Sequence, residues 1–124
     1  MTQITIGRVR NIKCIIHHYS YWNGIEIEFR LTTNNIYERY NLSSILSWLI
    51  INIESEVGCY RGCVSTMHKS KASIVIHEST FNKTLKLINN IHILDLNHNC
   101  IAFTPKQNAI TKLHNQLLLR ELSK

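Results

Sequence analysis

Cys59 and Cys63, separated by three residues and followed by His68, come closest to a metal-ligand pattern in this chain. Structural zinc sites use tighter cysteine pairs, with a second pair at a defined distance. Only Cys14, Cys100 and scattered histidines could supply that second half. On a strand Cys59 and Cys63 fall on one face, which suits a core of buried free thiols, so no metal is expected. His17 and His18 are neighbours and point to opposite faces of one strand, so they cannot share a ligand. His18 is expected on the inner face near Phe29, and His17 on the wet face as a contact residue. The last hairpin and helix raise a ββα-type nuclease with a divalent metal. His98, Asn99, Asn108 and His114 sit on elements of the right type, yet such residues are also ordinary in turns and on exposed helix faces.

Other chemistry has less support. The sequence holds no Gly-x-Ser-x-Gly elbow, no catalytic cysteine signature, no P-loop and no dinucleotide fingerprint. Glu54 and Glu56 point apart on a helix. No cofactor and no catalytic residue is expected, and the chain reads as a non-enzyme.

The remaining candidates are surface residues. Lys and Arg number 14 against 8 Asp and Glu, a formal charge of +6. That balance suits nucleic acid, an acidic protein or anionic lipid. Arg8, Arg10 and Lys13 are the densest basic run. Arg61, Lys69 and Lys71 form a second basic set for a nucleic-acid reading. His17, Tyr19, Tyr21 and Arg30 are expected on one outer sheet face, and tyrosine and arginine are enriched at binding hot spots.

These residues need elements to position them. Asn23-Gly24 is the preferred pair for a two-residue hairpin turn. The alternation from Ile25 to Leu31 then gives one buried and one wet face. This turn places Trp22 opposite Ile25, Ser20 opposite Ile27, His18 opposite Phe29 and Ile16 opposite Leu31. Outside, Tyr21 faces Glu26, Tyr19 faces Glu28 and His17 faces Arg30. Arg8 and Arg10 share parity with Ile12 and Cys14, so a bulge or break near Asn11 or Gly7 is required to turn them out.

A helix follows, capped by Asn41 or Ser43 and closed by Gly58. Leu42, Ile45, Leu49, Ile53 and Val57 form its apolar stripe. Leu46, Trp48, Ile50 and Ile51 widen it enough to predict a largely buried helix. A second hairpin pairs residues 60–67 with 72–77 around Lys69-Ser70-Lys71. A short helix from Ser79 or Thr80 then carries Phe81, Leu85 and Ile88. A third hairpin pairs 91–96 with 100–103 around Asn97-His98-Asn99. The final helix has Thr104 as N-cap, Pro105 at its first position and Gln107 at its third. Ile110, Leu113 and Leu117 line its inner face, with Ala109, Leu118 and Leu122 beside them.

The fold expected is a single α+β domain over residues 1–124. About six antiparallel strands form three hairpins, with three helices packed mainly on one face, in the order ββαββαββα. The N-terminus shows no signal-peptide pattern, and the longest apolar segment, around residues 46–53, is too short to span a bilayer. A cytoplasmic, reducing setting with free thiols is therefore expected. The 19 Ile and 13 Asn suit an A+T-rich genome or mobile element. The leading functional expectation is a small binding protein that sterically occludes a macromolecular partner, as immunity, inhibitor or anti-defence proteins do. The partner expected is a protein or ribonucleoprotein, an acidic one being compatible with the positive charge, and no membrane. A nucleic-acid-binding regulator is the alternative, and self-association through an exposed hairpin edge is open.

Overall fold

The computed structural model describes residues 2–19, 22–60, 63–68, 70–94 and 100–122. Its strands are β1 (Thr2–Val9), β2 (Ile12–His18), β3 (Gly24–Leu31), β4 (Thr66–Met67), β5 (Lys71–His77), β6 (His92–Leu94) and β7 (Cys100–Pro105). The helices are α1 (Ile36–Val57), α2 (Phe81–Asn89), which a short 3₁₀ turn precedes, and α3 (Gln107–Leu122). The sheet is antiparallel, in the order β4-β5-β3-β2-β1-β7-β6. This is the expected α+β class with three helices. The first unit, however, is a three-stranded meander in place of a hairpin.

Alternation explains the sheet. Ile12, Cys14 and Ile16 of β2, Ile25, Ile27, Phe29 and Leu31 of β3, and Ala72, Ile74 and Ile76 of β5 all enter one core. The same core takes Leu42, Leu46, Leu49, Ile50 and Ile53 of α1, Phe81, Leu85 and Ile88 of α2, and Ile110 and Leu113 of α3. The helices therefore cover one face, and burial of each such Ile or Leu contributes roughly 1.5–3 kcal/mol. Among the described residues the opposite face carries no helix.

Two devices bring β1 into this scheme. Between Thr5 and Gly7 the register with β2 shifts by one residue, which leaves Ile6 as an extra, fully buried residue. Arg10 and Asn11 then form a tight turn, with Arg10 at φ 50°. Both expected breaks are thus present, and Arg8 and Arg10 are exposed. Gly7 is required where it stands. A Cβ there would lie 2.3 Å from Cζ of Phe103 and 2.5 Å from the Thr104 carbonyl oxygen.

The Asn23-Gly24 turn does not form. Ile16 pairs with Ile27, His18 with Ile25 and Cys14 with Phe29. Each partner lies four residues from the expected one, an even slip that preserves which side chains face the core. Gly24 is the first residue of β3 because Trp22 folds over it: a Cβ on Gly24 would sit 3.0 Å from the indole ring. The Asn23 carbonyl is drawn away to accept the Glu78 N–H at 2.8 Å.

Other boundaries also move. α1 starts at Ile36, capped by Asn35, whose side chain accepts the Glu38 N–H at 3.1 Å. It ends at Gly58 (φ 72°), as expected. The helix is not largely buried, since Trp48 is 43% exposed and Ile51 56%. β4 has only two residues, so Cys59 and Cys63 lie on no strand; both are half-buried between α1 and β4. Thr104 and Pro105 belong to β7, paired with Arg8 and Gly7. β6 pairs β7 only as far as Ala102, so the end of β7 has one open edge, where proline is tolerated. The tip Asn97-His98-Asn99 lies outside the described residues. Among the described residues no helix is long and apolar enough to cross a membrane.

Candidate functional site

The register places Arg8 of β1 opposite Lys13 of β2, Lys13 opposite Arg30 of β3, and Arg30 opposite Lys71 of β5. Four cations on four adjacent strands thus form one straight row on the helix-free face. All four are exposed. Neighbouring strands are about 4.8 Å apart, so the row spans roughly 14 Å at the backbone. Like charges directly opposite each other on a sheet are destabilising. Among the described residues no carboxylate pairs with Arg8, Lys13 or Lys71.

The end of the sheet that bears the row is held in place. The Asn11 carbonyl accepts the Thr32 N–H at 2.8 Å and the Thr32 hydroxyl at 3.0 Å. The Asn11 amide also donates to Glu38 at the start of α1, and Glu38 in turn accepts from the Thr33 hydroxyl at 3.0 Å. The β1–β2 turn, the β3–α1 connection and the first turn of α1 are therefore tied together by hydrogen bonds.

Next to the row lies a buried carboxylate. Glu28 is 5% exposed. Arg30 donates to it twice, Nε at 2.5 Å and Nη2 at 3.0 Å, and His17 Nε2 donates at 2.9 Å. Burial pushes the Glu28 carboxyl up. The Arg30 hydrogen bonds, the His17 hydrogen bond and the charge of Arg30 outweigh that and hold it below its ordinary range. Glu26 lies 4.0 Å from His17. Ile15 is buried on this face without joining the helix-packed core.

The far end of the face is aromatic. Trp22 meets Tyr60 edge-on at 5.2 Å, Tyr60 stacks on His77 at 5.5 Å, and Tyr19 lies 6.1 Å from Trp22. His77 accepts the Ser79 N–H at Nδ1, 3.0 Å away, and so is fixed by the 3₁₀ turn.

The expected residues therefore divide. Arg8, Lys13, Arg30 and Lys71 come together, and Arg10 is exposed in the adjoining turn. His17 is buried at 8% exposure beneath Arg30's partner, so it is not a surface contact. It faces Glu26 in place of Arg30 because of the register slip. Tyr19 has left the strand and packs on Trp22. Tyr21, Arg61, Lys69 and His98 lie outside the described residues. His114 is exposed and lines a cavity of about 160 Å³ with Glu78, Phe81, Asn82, Leu117 and Leu118, on the helical side of the molecule. Glu28 was not singled out by its sequence, although Glu28 and Arg30, two apart on a strand, necessarily share a face.

Among the described residues no three His, Cys, Asp or Glu side chains are placed to hold a metal ion. The described thiols are free; Cys14 is buried, and Cys100 is exposed with Sγ 3.0 Å from Nε2 of His92. What this arrangement offers is recognition of anionic groups by fixed cations. The chain matches no known protein family, no curated protein and no solved structure.

Proposed function

We propose that this is a non-enzymatic binding protein whose helix-free sheet face engages the phosphate backbone of a nucleic acid. The observation that carries the reading is the row Arg8–Lys13–Arg30–Lys71. Opposing like charges cost folding free energy. An arrangement that keeps four in register, three of them without a carboxylate among the described residues, is one that phosphate oxygens would relieve. Phosphate contacts made this way give affinity without sequence readout. Arg30, oriented by Glu28, keeps its planar guanidinium in a fixed pose, and arginine is suited to phosphate geometry.

The test is fluorescence anisotropy with labelled single-stranded and duplex DNA and RNA across a salt series. Four phosphate contacts give a log–log slope near −3.6 for duplex DNA and about −2.8 for single strands. Lys13→Ala and Lys71→Ala should each reduce the slope by about 0.7–0.9. Absence of binding to every probe at low salt would end this reading. The steric-occlusion reading would then take its place, with the same face turned to an acidic protein surface.

A further inference from the structure

The α1 helix presents a second surface, on the side away from the sheet. Tyr37 is 84% exposed, Tyr40 78%, Trp48 43% and Ile51 56%. With exposed Ser44 they occupy one face of the helix, opposite the buried Leu42, Leu46, Leu49 and Ile53. From Tyr40 to Ile53 the sequence holds no charged residue. An ordinary solvent-facing helix carries charge there. Interface cores are instead depleted of charge and enriched in Tyr and Trp.

The serine hydroxyls on and beside this face are already satisfied. The hydroxyls of Ser43, Ser44 and Ser47 donate to the carbonyls of Tyr40, Asn41 and Ser43 of their own helix. Covering the face would therefore strand none of them.

We infer that the face is covered by a second copy of this chain, through antiparallel packing of α1 on α1 about a two-fold axis at Ser44. The spacing carries this choice. Tyr37, Tyr40, Ser44, Trp48 and Ile51 are separated by three, four, four and three positions, a palindrome centred on Ser44. A two-fold contact is isologous: residue i meets j, and j meets i. Here Tyr37 meets Ile51 of the other copy, Tyr40 meets Trp48, and Ser44 meets Ser44. The smallest side chain of the set falls on the axis, where helices approach to about 8–10 Å.

Area is consistent with this. These side chains and the adjoining Ile36, 79% exposed, leave on the order of 700 Å² open, near the ~800 Å² per partner of a standard interface. Among the described residues the outermost strands of the sheet offer no comparable route. These strands, β4 and β6, have two and three residues, too short for a stable strand-to-strand contact. The α1 surface lies on the far side of the core from the cation row, so pairing leaves both rows in solvent.

Sedimentation equilibrium on the full chain from about 1 to 300 μM tests the inference. The expected species is a dimer, at twice the 14.5 kDa chain mass. Tyr40→Glu and Trp48→Glu should each raise the dimer Kd at least tenfold with unchanged far-UV circular dichroism, since neither residue belongs to the buried core. A second reading fixes the geometry. In a Cys100→Ser background, Ser44→Cys should cross-link between copies under mild oxidation, and Ser55→Cys, off the axis, should not. A monomer across the whole range overturns the inference, including the case in which α1 takes a different protein. A dimer insensitive to both glutamates, or one that cross-links equally through position 55, overturns it as well.

Discussion

Nε2 of His17 donates a hydrogen bond to Oε1 of Glu28 across the β2–β3 pair at 2.9 Å, and both side chains are buried on the face that has no helix. Together with Arg30, this contact lets an otherwise unprotected carboxylate sit in the sheet. Removing its charge leaves Arg30 and His17 with a weaker acceptor. Glu28→Gln should lower unfolding free energy by about 1–3 kcal/mol in urea titrations at pH 7.

The same group sets a pH dependence. Its carboxyl binds a proton less readily in the folded chain than in the unfolded one. The stability it contributes is therefore complete above the ordinary glutamate range and is lost as pH falls through that range and below it. Urea midpoints between pH 7 and pH 3 should fall less steeply for Glu28→Gln than for the natural sequence. Parallel acid limbs would show that Glu28 carries none of the dependence.

The cation row predicts that stability and binding oppose each other. Lys13→Glu places a carboxylate between Arg8 and Arg30, replacing two repulsive cross-strand contacts with two attractive ones. Thermal unfolding should move upward, by the equivalent of about 0.5–1 kcal/mol. Nucleic-acid affinity should drop, with a shallower salt slope. A variant that is both less stable and unchanged in binding would remove the row from consideration.

Of the described glycines, Gly7 is least able to accept a side chain. Its added Cβ would meet a backbone oxygen as well as the Phe103 ring. Gly7→Ala should cost about 3 kcal/mol, the upper end of overpacking penalties, or a Tm lowered by roughly 10 °C. Gly58→Ala has open space around its Cβ and is penalised only through its φ of 72°. With ψ at 168° the position lies in a region essentially reserved for glycine, so the change should cost about 1–3 kcal/mol.

Thiol chemistry separates the cysteines. Cys14 is fully buried, and burial pushes its thiol up; burial also raises that of Cys59. In the native state an aromatic disulfide reagent should modify Cys100 promptly and leave Cys14 untouched until the chain unfolds. Mass mapping of the labelled peptides reads this directly.

Much of the fold was legible because alternation survives an even slip. Cys14, Ile16 and His18 face inward whether the turn lies at Asn23-Gly24 or earlier, so the inner face was readable when the turn was not. The turn itself was hidden by tertiary contacts: Trp22 lying over Gly24 and the Asn23 carbonyl taken by Glu78. The β1–β2 turn was signalled only by the parity of Arg8 and Arg10, which called for a break near Asn11 or Gly7; nothing in an Arg-Asn pair itself announces a residue at positive φ. At Thr104-Pro105 a good capping pattern lost to pairing with Arg8 and Gly7, a partner strand almost a hundred residues away.

The site was less legible for a related reason. Arg8, Lys13, Arg30 and Lys71 could each be marked as basic, but their alignment depends on three strand registers at once. Tyr19 and His17 were misplaced by the slip: even in parity, it moved them along the strand and changed their partners. The exposed side of α1 was hidden by composition, because Trp48 and Ile51 resemble core residues and only packing shows that they face outward.

The bulge at Ile6 gives β1 two reading frames. Before it, even-numbered residues point to the core, as Ile4 does opposite Ile16; after it, odd-numbered ones do, as Val9 does opposite Ile12. One inserted residue is thus a phase change that lets a single strand serve a hydrophobic core and a charged surface in turn. Were the bulge to close with Ile6 retained, Arg8 would keep step with Ile4 and either enter the core or force β1 out of register. Deleting Ile6 would instead remove the extra residue, so that Val9 takes the phase of Ile4 and Arg8 stays outside opposite Lys13, with one fully buried isoleucine lost.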